Sequence, residues 1–178
     1  NLCNRAHDVR HVPVIGGVMD SSTRRVIDNV KALEQCGGTA AIITPIFYAR
    51  HTSPDETIRL FEDVSRNTEI DLFIYNIPIF TGYLLKPKTI FDIAKIDKVV
   101  GYKDSSTVFD DFLTCLDYFG GKDFSLLQGI TTHMTASVLL GARGVTPALA
   151  AIFPSIFVKL YAACERQDMD AVVVLNPI

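Results

Sequence analysis

Two apolar runs in this chain end in residues that carbonyl chemistry uses. Asp71-Leu-Phe-Ile-Tyr-Asn-Ile-Pro78 has the pattern of a buried strand finishing on Tyr75 and Asn76, and Val99-Val-Gly-Tyr-Lys-Asp-Ser-Ser106 that of another finishing on Lys103. A lysine that follows Val-Val-Gly-Tyr without a break lies inside a strand, and a strand between helical segments is normally buried on both faces. Burial disfavours the ammonium and favours the nucleophilic amine. At the reference pKa of about 10.4, only about one lysine in a few thousand is neutral at pH 7, so desolvation would supply much of the activation. The plain alternative is a strand-end lysine whose head snorkels to solvent. Asp104 falls on the opposite face by alternation and reads as a structural hydrogen-bonding group, not a base.

The other reactive residue types are less organised. His7 and His11 stand four apart and could face one way as metal ligands, but Pro13 follows closely and no carboxylate motif accompanies them. They read as surface or capping histidines, and no metal site is expected. His133 opens a helix after Gly129, a strand-end position from which a side chain can touch substrate. Cys3, Cys36, Cys115 and Cys164 are scattered without a CxxC pair and read as free thiols in a reducing compartment. Cys36 and Cys164 lie near the ends of helical patterns, where packing is their expected role.

The elements that must position these residues alternate along the chain. Val12 to Gly17 reads as a strand, and Asp20-Ser-Ser-Thr23 offers N-caps for a helix through Gln35, with Val26, Ile27, Val30 and Leu33 at helical spacing and Gly37-Gly38 as its stop. Thr39 to Pro45 is a second strand, Ile46 to Ser53 a loop, and Pro54 opens a helix with Ile58, Phe61 and Val64 on one face. Leu72 to Pro78 follows as a strand, Ile79 to Gly82 as its loop, and Pro87 stands in the first turn of the next helix. Val99 to Lys103 is the fourth strand, and its helix carries Phe109, Phe112, Leu113 and Leu116 before Gly120-Gly121. Phe124 to Leu127 is the fifth strand, with a helix through Leu140. Gly144 to Pro147 is the sixth, and Pro154 starts a last helix reaching about Arg166. Residues 1 to 11 look like the tail of an earlier helix.

Six strand-helix units in strict alternation predict an α/β fold with a parallel sheet, either open and doubly wound or part of an eight-unit barrel. No GxGxxG or GxxxxGK loop follows any strand. Thr44, Tyr75, Lys103, Gly129 and Thr146 stand instead at strand ends, and chemistry spread over many carboxyl ends is how a TIM barrel builds a site. The 178 residues suffice for one domain with a substantial core. Hydrophobic residues make up 48% and charged residues 21%, the balance of an ordinary globular protein. A net charge of −3 argues against nucleic acid or an anionic membrane as partner. No apolar run approaches a membrane span, and Asn1 to Asp8 is too polar for a signal peptide, so the cytoplasm is the expected compartment.

Tyr75-Asn-Ile-Pro-Ile-Phe-Thr-Gly82 followed by Val100-Gly-Tyr-Lys-Asp-Ser-Ser106 resembles the paired signature of the dihydrodipicolinate synthase and N-acetylneuraminate lyase family. Val12-Pro-Val-Ile-Gly-Gly-Val18, Thr44-Pro45, Leu127-Gln-Gly129, Gly141-Ala-Arg-Gly-Val145 and Phe153-Pro154 fall in the family's order, so nearly the whole chain takes part. The resemblance implies a (β/α)8 TIM barrel, usually a homotetramer, with class I aldolase chemistry. Residues 1–178 would then be a single barrel domain seen from roughly strand 3 to strand 8. It would lack the first two units, with their Gly-Thr-Thr-Gly-Glu loop for the keto-acid carboxylate, and most of the helices after the barrel. A six-strand piece would expose two sheet edges.

The resemblance also implies roles. Lys103 would form an imine with pyruvate or a longer 2-keto acid, needing no other cofactor, and Tyr75 would relay protons to and from the aldehyde oxygen, with Thr44 a candidate hydrogen-bond partner. Gly129 and Thr146 would approach the keto acid through backbone groups. Phe47, Tyr48 and Phe80 would line the substrate site, and here the chain departs from the pattern. Where dihydrodipicolinate synthase has an arginine for its substrate's second carboxylate, this chain has Phe80, which cannot make that bidentate contact. Where family members carry a second relay tyrosine after Thr-Pro, this chain has Ile46-Phe47, with Tyr48 one place on. Either Tyr48 takes over the relay or Phe47 is apolar filler. The implied function is cleavage or formation of a 2-keto acid from pyruvate and an aldehyde, with a 2-keto-3-deoxy sugar acid or related hydroxy-keto acid favoured over the synthase reaction. A non-catalytic ligand-binding barrel and a small doubly wound binding domain are the alternatives, and fold alone does not choose between them.

Overall fold

The computed structural model describes residues 12–48 and 53–176. The helix tail expected over residues 1–11, with His7, His11 and Cys3, lies outside them. The chain forms two compact units, Asn1–Gly101 and Tyr102–Ile178. Strand order in the sheet follows chain order, as it does when each crossover returns to the next position.

The first unit holds β1 (Ile15–Gly17), α1 (Thr23–Gln35), β2 (Ala40–Ile43), α2 (Pro54–Ser65), β3 (Asp71–Asn76), α3 (Pro78–Thr81), α4 (Pro87–Ile93) and the start of β4 (Val99–Asp104). β1 pairs with β2 in parallel, Ile15 opposite Ala40, and β2 with β3, Ala40 opposite Asp71. The Leu72 N–H donates to the Lys98 carbonyl at 2.7 Å, leading into β4. Leu72, Phe73 and Ile74 are all buried, so β3 is covered on both faces over this stretch. α2 buries Thr57, Leu60, Phe61 and Val64, an i, i+3, i+4, i+7 stripe centred one residue away from the expected Ile58 face. Leu60, Phe61 and Val64 each contribute about 1.5–3 kcal/mol by leaving water. Ser53 caps α2 by accepting the Asp55 N–H at 3.1 Å, with Pro54 in the first turn. Cys36, expected to pack, is exposed at the C-terminus of α1.

Ile79 to Gly82 is not the loop expected from sequence. Pro78–Thr81 winds into one helical turn, α3, closed by Gly82 in the left-handed region at φ 67°. Pro78 supplies the first-turn φ, and the Gly82 N–H reaches back to the Pro78 carbonyl at 2.8 Å.

The second unit holds the end of β4, α5 (Phe109–Phe119), β5 (Ser125–Gln128), α6 (Met134–Leu139), β6 (Gly144–Val145), α7 (Pro154–Glu165) and α8 (Met169–Leu175), with 3₁₀ turns at Thr131–His133 and Ala148–Ala151. β5 and β6 pair in parallel, Leu127 opposite Gly144. The core gathers Met134, Phe157, Leu160, Ala163, Cys164 and Val172. Sequence reading stopped at α7 and missed α8, whose Val-Val-Val-Leu run favours strand by propensity. Asp168 overrides that preference by capping the Ala171 N–H at 3.1 Å, and burial of Val172 in the core holds the turn.

Candidate active site

In the first unit, the ends of β1, β2 and β3 gather around one cavity of about 400 Å³. It is lined by four of the expected residues, Thr44, Phe47, Tyr75 and Phe80, and by Met19, Ile77 and Thr81, which the sequence reading did not single out. Met19 lies two residues beyond β1 and Ile77 one beyond β3, so the strand-end rule that found Tyr75 applies to them too. Tyr75 sits between Ile74 and Asn76, both fully buried, and by alternation faces the other way. Asn76 fixes the chain after it: its Nδ2 donates to the Leu85 carbonyl at 3.2 Å and its Oδ1 accepts the Leu85 N–H at 3.1 Å. That pair closes the segment carrying α3 into a compact loop.

Two lining hydroxyls have different duties. Thr81 Oγ1 donates to the Tyr83 carbonyl at 3.0 Å and accepts the Tyr83 N–H at 3.3 Å, so it is spent on the loop. Thr44 is 4% exposed, and its Oγ1 has no hydrogen-bond partner among the described residues, so the expected bond to Tyr75 is not made. Phe80 lines the cavity while remaining 77% exposed on α3. Tyr48 is wholly exposed, its backbone is left-handed at φ 79°, and it does not line the cavity.

In the second unit, alternation along β4 separates a fully buried face from a less buried one that carries Lys103. Tyr102 and Asp104 are fully buried, with the Tyr102 ring 6.2 Å from that of Phe112 on α5. The Tyr102 hydroxyl donates to Asp104 Oδ1 at 2.7 Å and Ser106 Oγ donates to Oδ2 at 3.1 Å. Asp104 is therefore a structural acceptor, as alternation predicted. Cys115 lies buried in the same unit, and burial, then Asp104 and Asp111, push its thiol up to about 12, far from nucleophilic at neutral pH.

Lys103, on the opposite face, is partly buried, not enclosed on both sides as expected. Its stem lies against Gly129: a Cβ added there would stand 3.3 Å from Lys103 Cε and 2.9 Å from the Asp104 carbonyl and would collide with Ser105 Oγ. Only glycine fits. The Gly129 N–H donates to the Asp104 carbonyl at 2.7 Å and the Thr146 N–H to the Gln128 carbonyl at 2.8 Å. Of the backbone groups expected to approach the keto acid, both N–H donors are thus committed to carbonyls of the neighbouring strand ends. Gln128 Oε1 accepts the Ile130 N–H at 2.8 Å, shaping the loop that carries His133. The His133 ring rests 4.7 Å from that of Phe109, and its buried Nδ1 has no partner among the described residues. Among those residues, no cluster of three or more His, Cys, Asp or Glu is placed to hold a metal, and no helix is long and apolar enough to cross a membrane.

Known proteins resemble this chain along nearly all its length. It is 26% identical over 163 residues to the 4-hydroxy-tetrahydrodipicolinate synthase of Methanococcoides burtonii, covering 92% of this chain and 56% of that one. The dihydrodipicolinate synthase of Bacteroides thetaiotaomicron superposes with a TM-score of 0.89 at 32% identity, over 98% of this chain and 58% of that one. The Acinetobacter baumannii dihydrodipicolinate synthase, solved in complex with pyruvate, gives a TM-score of 0.89 at 26% identity over 97% and 58%. The chain thus spans a little over half the length of these relatives, and its six strand-helix units share their fold, as the family resemblance implied and as one of the two readings left open by the alternation. The model of the dihydrodipicolinate synthetase family matches residues 5–177, and the chain belongs to that family.

Proposed function

We propose that the protein containing this chain is a Schiff-base-forming class I aldolase that splits a 4-hydroxy-2-keto acid into pyruvate and an aldehyde, or joins them. The observation that carries this reading is the placement of Lys103 at the carboxyl end of β4, its stem against Gly129 and its strand pinned from behind by Asp104. Family membership and a relative solved with pyruvate support it.

In this reading the Lys103 amine adds to the 2-keto carbonyl and water leaves to give an iminium. Tyr75 takes the proton of the C4 hydroxyl, the C3–C4 bond breaks, and its electron pair moves into the iminium to form an enamine. The aldehyde departs, C3 is protonated, and hydrolysis of the imine returns pyruvate and free Lys103. The covalent imine is the only cofactor this chemistry requires. Phe80 in place of an arginine supports a 2-keto-3-deoxy sugar acid or related hydroxy-keto acid over condensation of pyruvate with aspartate semialdehyde. The names of the relatives favour that second reading. We infer a cytoplasmic homo-oligomer, dimer or tetramer, as the working form, by resemblance to the family.

Borohydride reduction of the full-length protein with saturating pyruvate, read by peptide mass spectrometry, tests the reading. An adduct on Lys103 supports it. A folded protein that takes no adduct leaves the non-catalytic barrel as the better account.

A further inference from the structure

Resting on the aldolase reading, we propose that the aldehyde half of the substrate carries an uncharged, apolar substituent seated in the cavity beside Tyr75. Met19, Phe47, Ile77 and Phe80 supply its apolar walls. Its described lining residues include no lysine, arginine or histidine to answer a carboxylate or phosphate on the aldehyde. The polar supply is equally narrow. The Thr81 hydroxyl is used by its own loop, and Tyr75 serves the proton at C4. That leaves the Thr44 hydroxyl, buried and without a partner among the described residues, as the uncommitted polar group of the described lining. It can answer one substrate oxygen, the one borne by C4. A polyhydroxylated chain would meet methionine, isoleucine and phenylalanine along these described walls in place of hydrogen-bonding groups.

A volume of about 400 Å³ accepts an aromatic ring or a branched alkyl group. Within the hydroxy-keto acids, the class selected is R–CH(OH)–CH2–CO–COO⁻ with R aryl or alkyl. Cleavage gives R–CHO and pyruvate, with the C4 hydroxyl proton leaving through Tyr75 and a proton returning to C3.

The test uses the full-length protein and compares cleavage of 4-hydroxy-2-oxo-4-phenylbutanoate with that of 2-keto-3-deoxygluconate, pyruvate release being followed by lactate dehydrogenase. The condensation of pyruvate with benzaldehyde, glyceraldehyde and aspartate semialdehyde is compared in parallel. The expected result is a kcat/KM for the phenyl substrate at least about tenfold above that for the sugar acid. Phe80→Arg, an exposed position where folding is not at risk, should lower the phenyl value by about tenfold and raise that for aspartate semialdehyde. A preference for the sugar acid or for aspartate semialdehyde overturns the proposal. Borohydride trapping on the same preparation separates the two levels. A Lys103 adduct with the wrong aldehyde preference overturns only the substrate class, whereas no adduct overturns the aldolase reading and this proposal with it.

Discussion

Around Tyr75 the walls are methionine, isoleucine and two phenylalanines, one of them largely exposed on a single helical turn, and a threonine hydroxyl has no partner among the described residues. At Lys103 the stem lies against Gly129, and the adjacent carboxylate accepts from two hydroxyls behind the strand. The second region tolerates no added atom at Gly129, while the first is a cavity whose shape depends on side chains that can be exchanged one at a time. In the proposed reading, the step common to all substrates belongs to the clamped strand and the choice among aldehydes to the exchangeable wall. Binding energy and reactivity are thereby separated in the chain.

Removing the amine tests that separation most severely. Lys103→Ala should abolish the pyruvate adduct and lower turnover at least about a thousandfold, while thermal unfolding moves little because the side chain is only partly buried. A variant that keeps measurable imine chemistry would place the nucleophile elsewhere. Next in size is Gly129→Ala, whose methyl group meets the Asp104 carbonyl and the Lys103 stem. It should cost about 1–3 kcal/mol in urea unfolding and slow imine formation as well. An alanine as stable and as reactive as glycine would mean that the clamp is looser than drawn.

Asp104→Asn acts from behind the strand. It replaces one acceptor oxygen by a donor facing Tyr102 or Ser106, for an expected loss of about 1–2 kcal/mol in the same urea experiment. Changes at the cavity wall should leave stability nearly untouched by comparison. Cys115 reports on the same buried layer through pH. Its thiol, raised from 9.0 to about 12 by burial and by Asp104 and Asp111, stays protonated in the folded protein where the unfolded chain would ionise. Its contribution to stability is complete below pH 9 and declines as pH rises from 9 to 12, and Cys115→Ala should flatten that part of the curve. Iodoacetamide at pH 8 should accordingly label exposed Cys36 in the native protein and spare Cys115. The smallest effect is expected at Thr44→Val, which removes a hydroxyl that has no partner. It should leave stability unchanged or raise it by up to about 1 kcal/mol, the reverse of the Asp104 result, while weakening the substrate whose oxygen Thr44 would meet.

Much of this was legible before any coordinates. The alternation of elements, Pro54 and Pro87 as helix openers, and Tyr75 and Lys103 as strand-end residues all follow from local pattern, and the structure places each where the pattern put it. The turn at Pro78–Thr81 and the helix over Met169–Leu175 escaped for one reason: in both, a cap or a reach-back hydrogen bond outweighs the preference of the residues between. Cys36 was assigned to packing from its place near the end of a helical pattern, yet as the C-cap of α1 it is exposed.

The sequence by itself determined which residues stand at the ends of which strands, because a period of two along a strand and 3.6 along a helix is written into the order of apolar side chains. It also determined that an arginine is missing at position 80. What Phe80 does instead was decided only in three dimensions, by Met19, Phe47 and Ile77, which arrive from three separate strand ends to make one apolar cavity. The same holds at Gly129: its type was plain to read, but its necessity arises from the Lys103 stem and the Asp104 carbonyl, a neighbouring strand away. Periodicity is a property of one element, whereas a cavity and a close approach belong to several elements at once, and their packing exists only after the chain has folded.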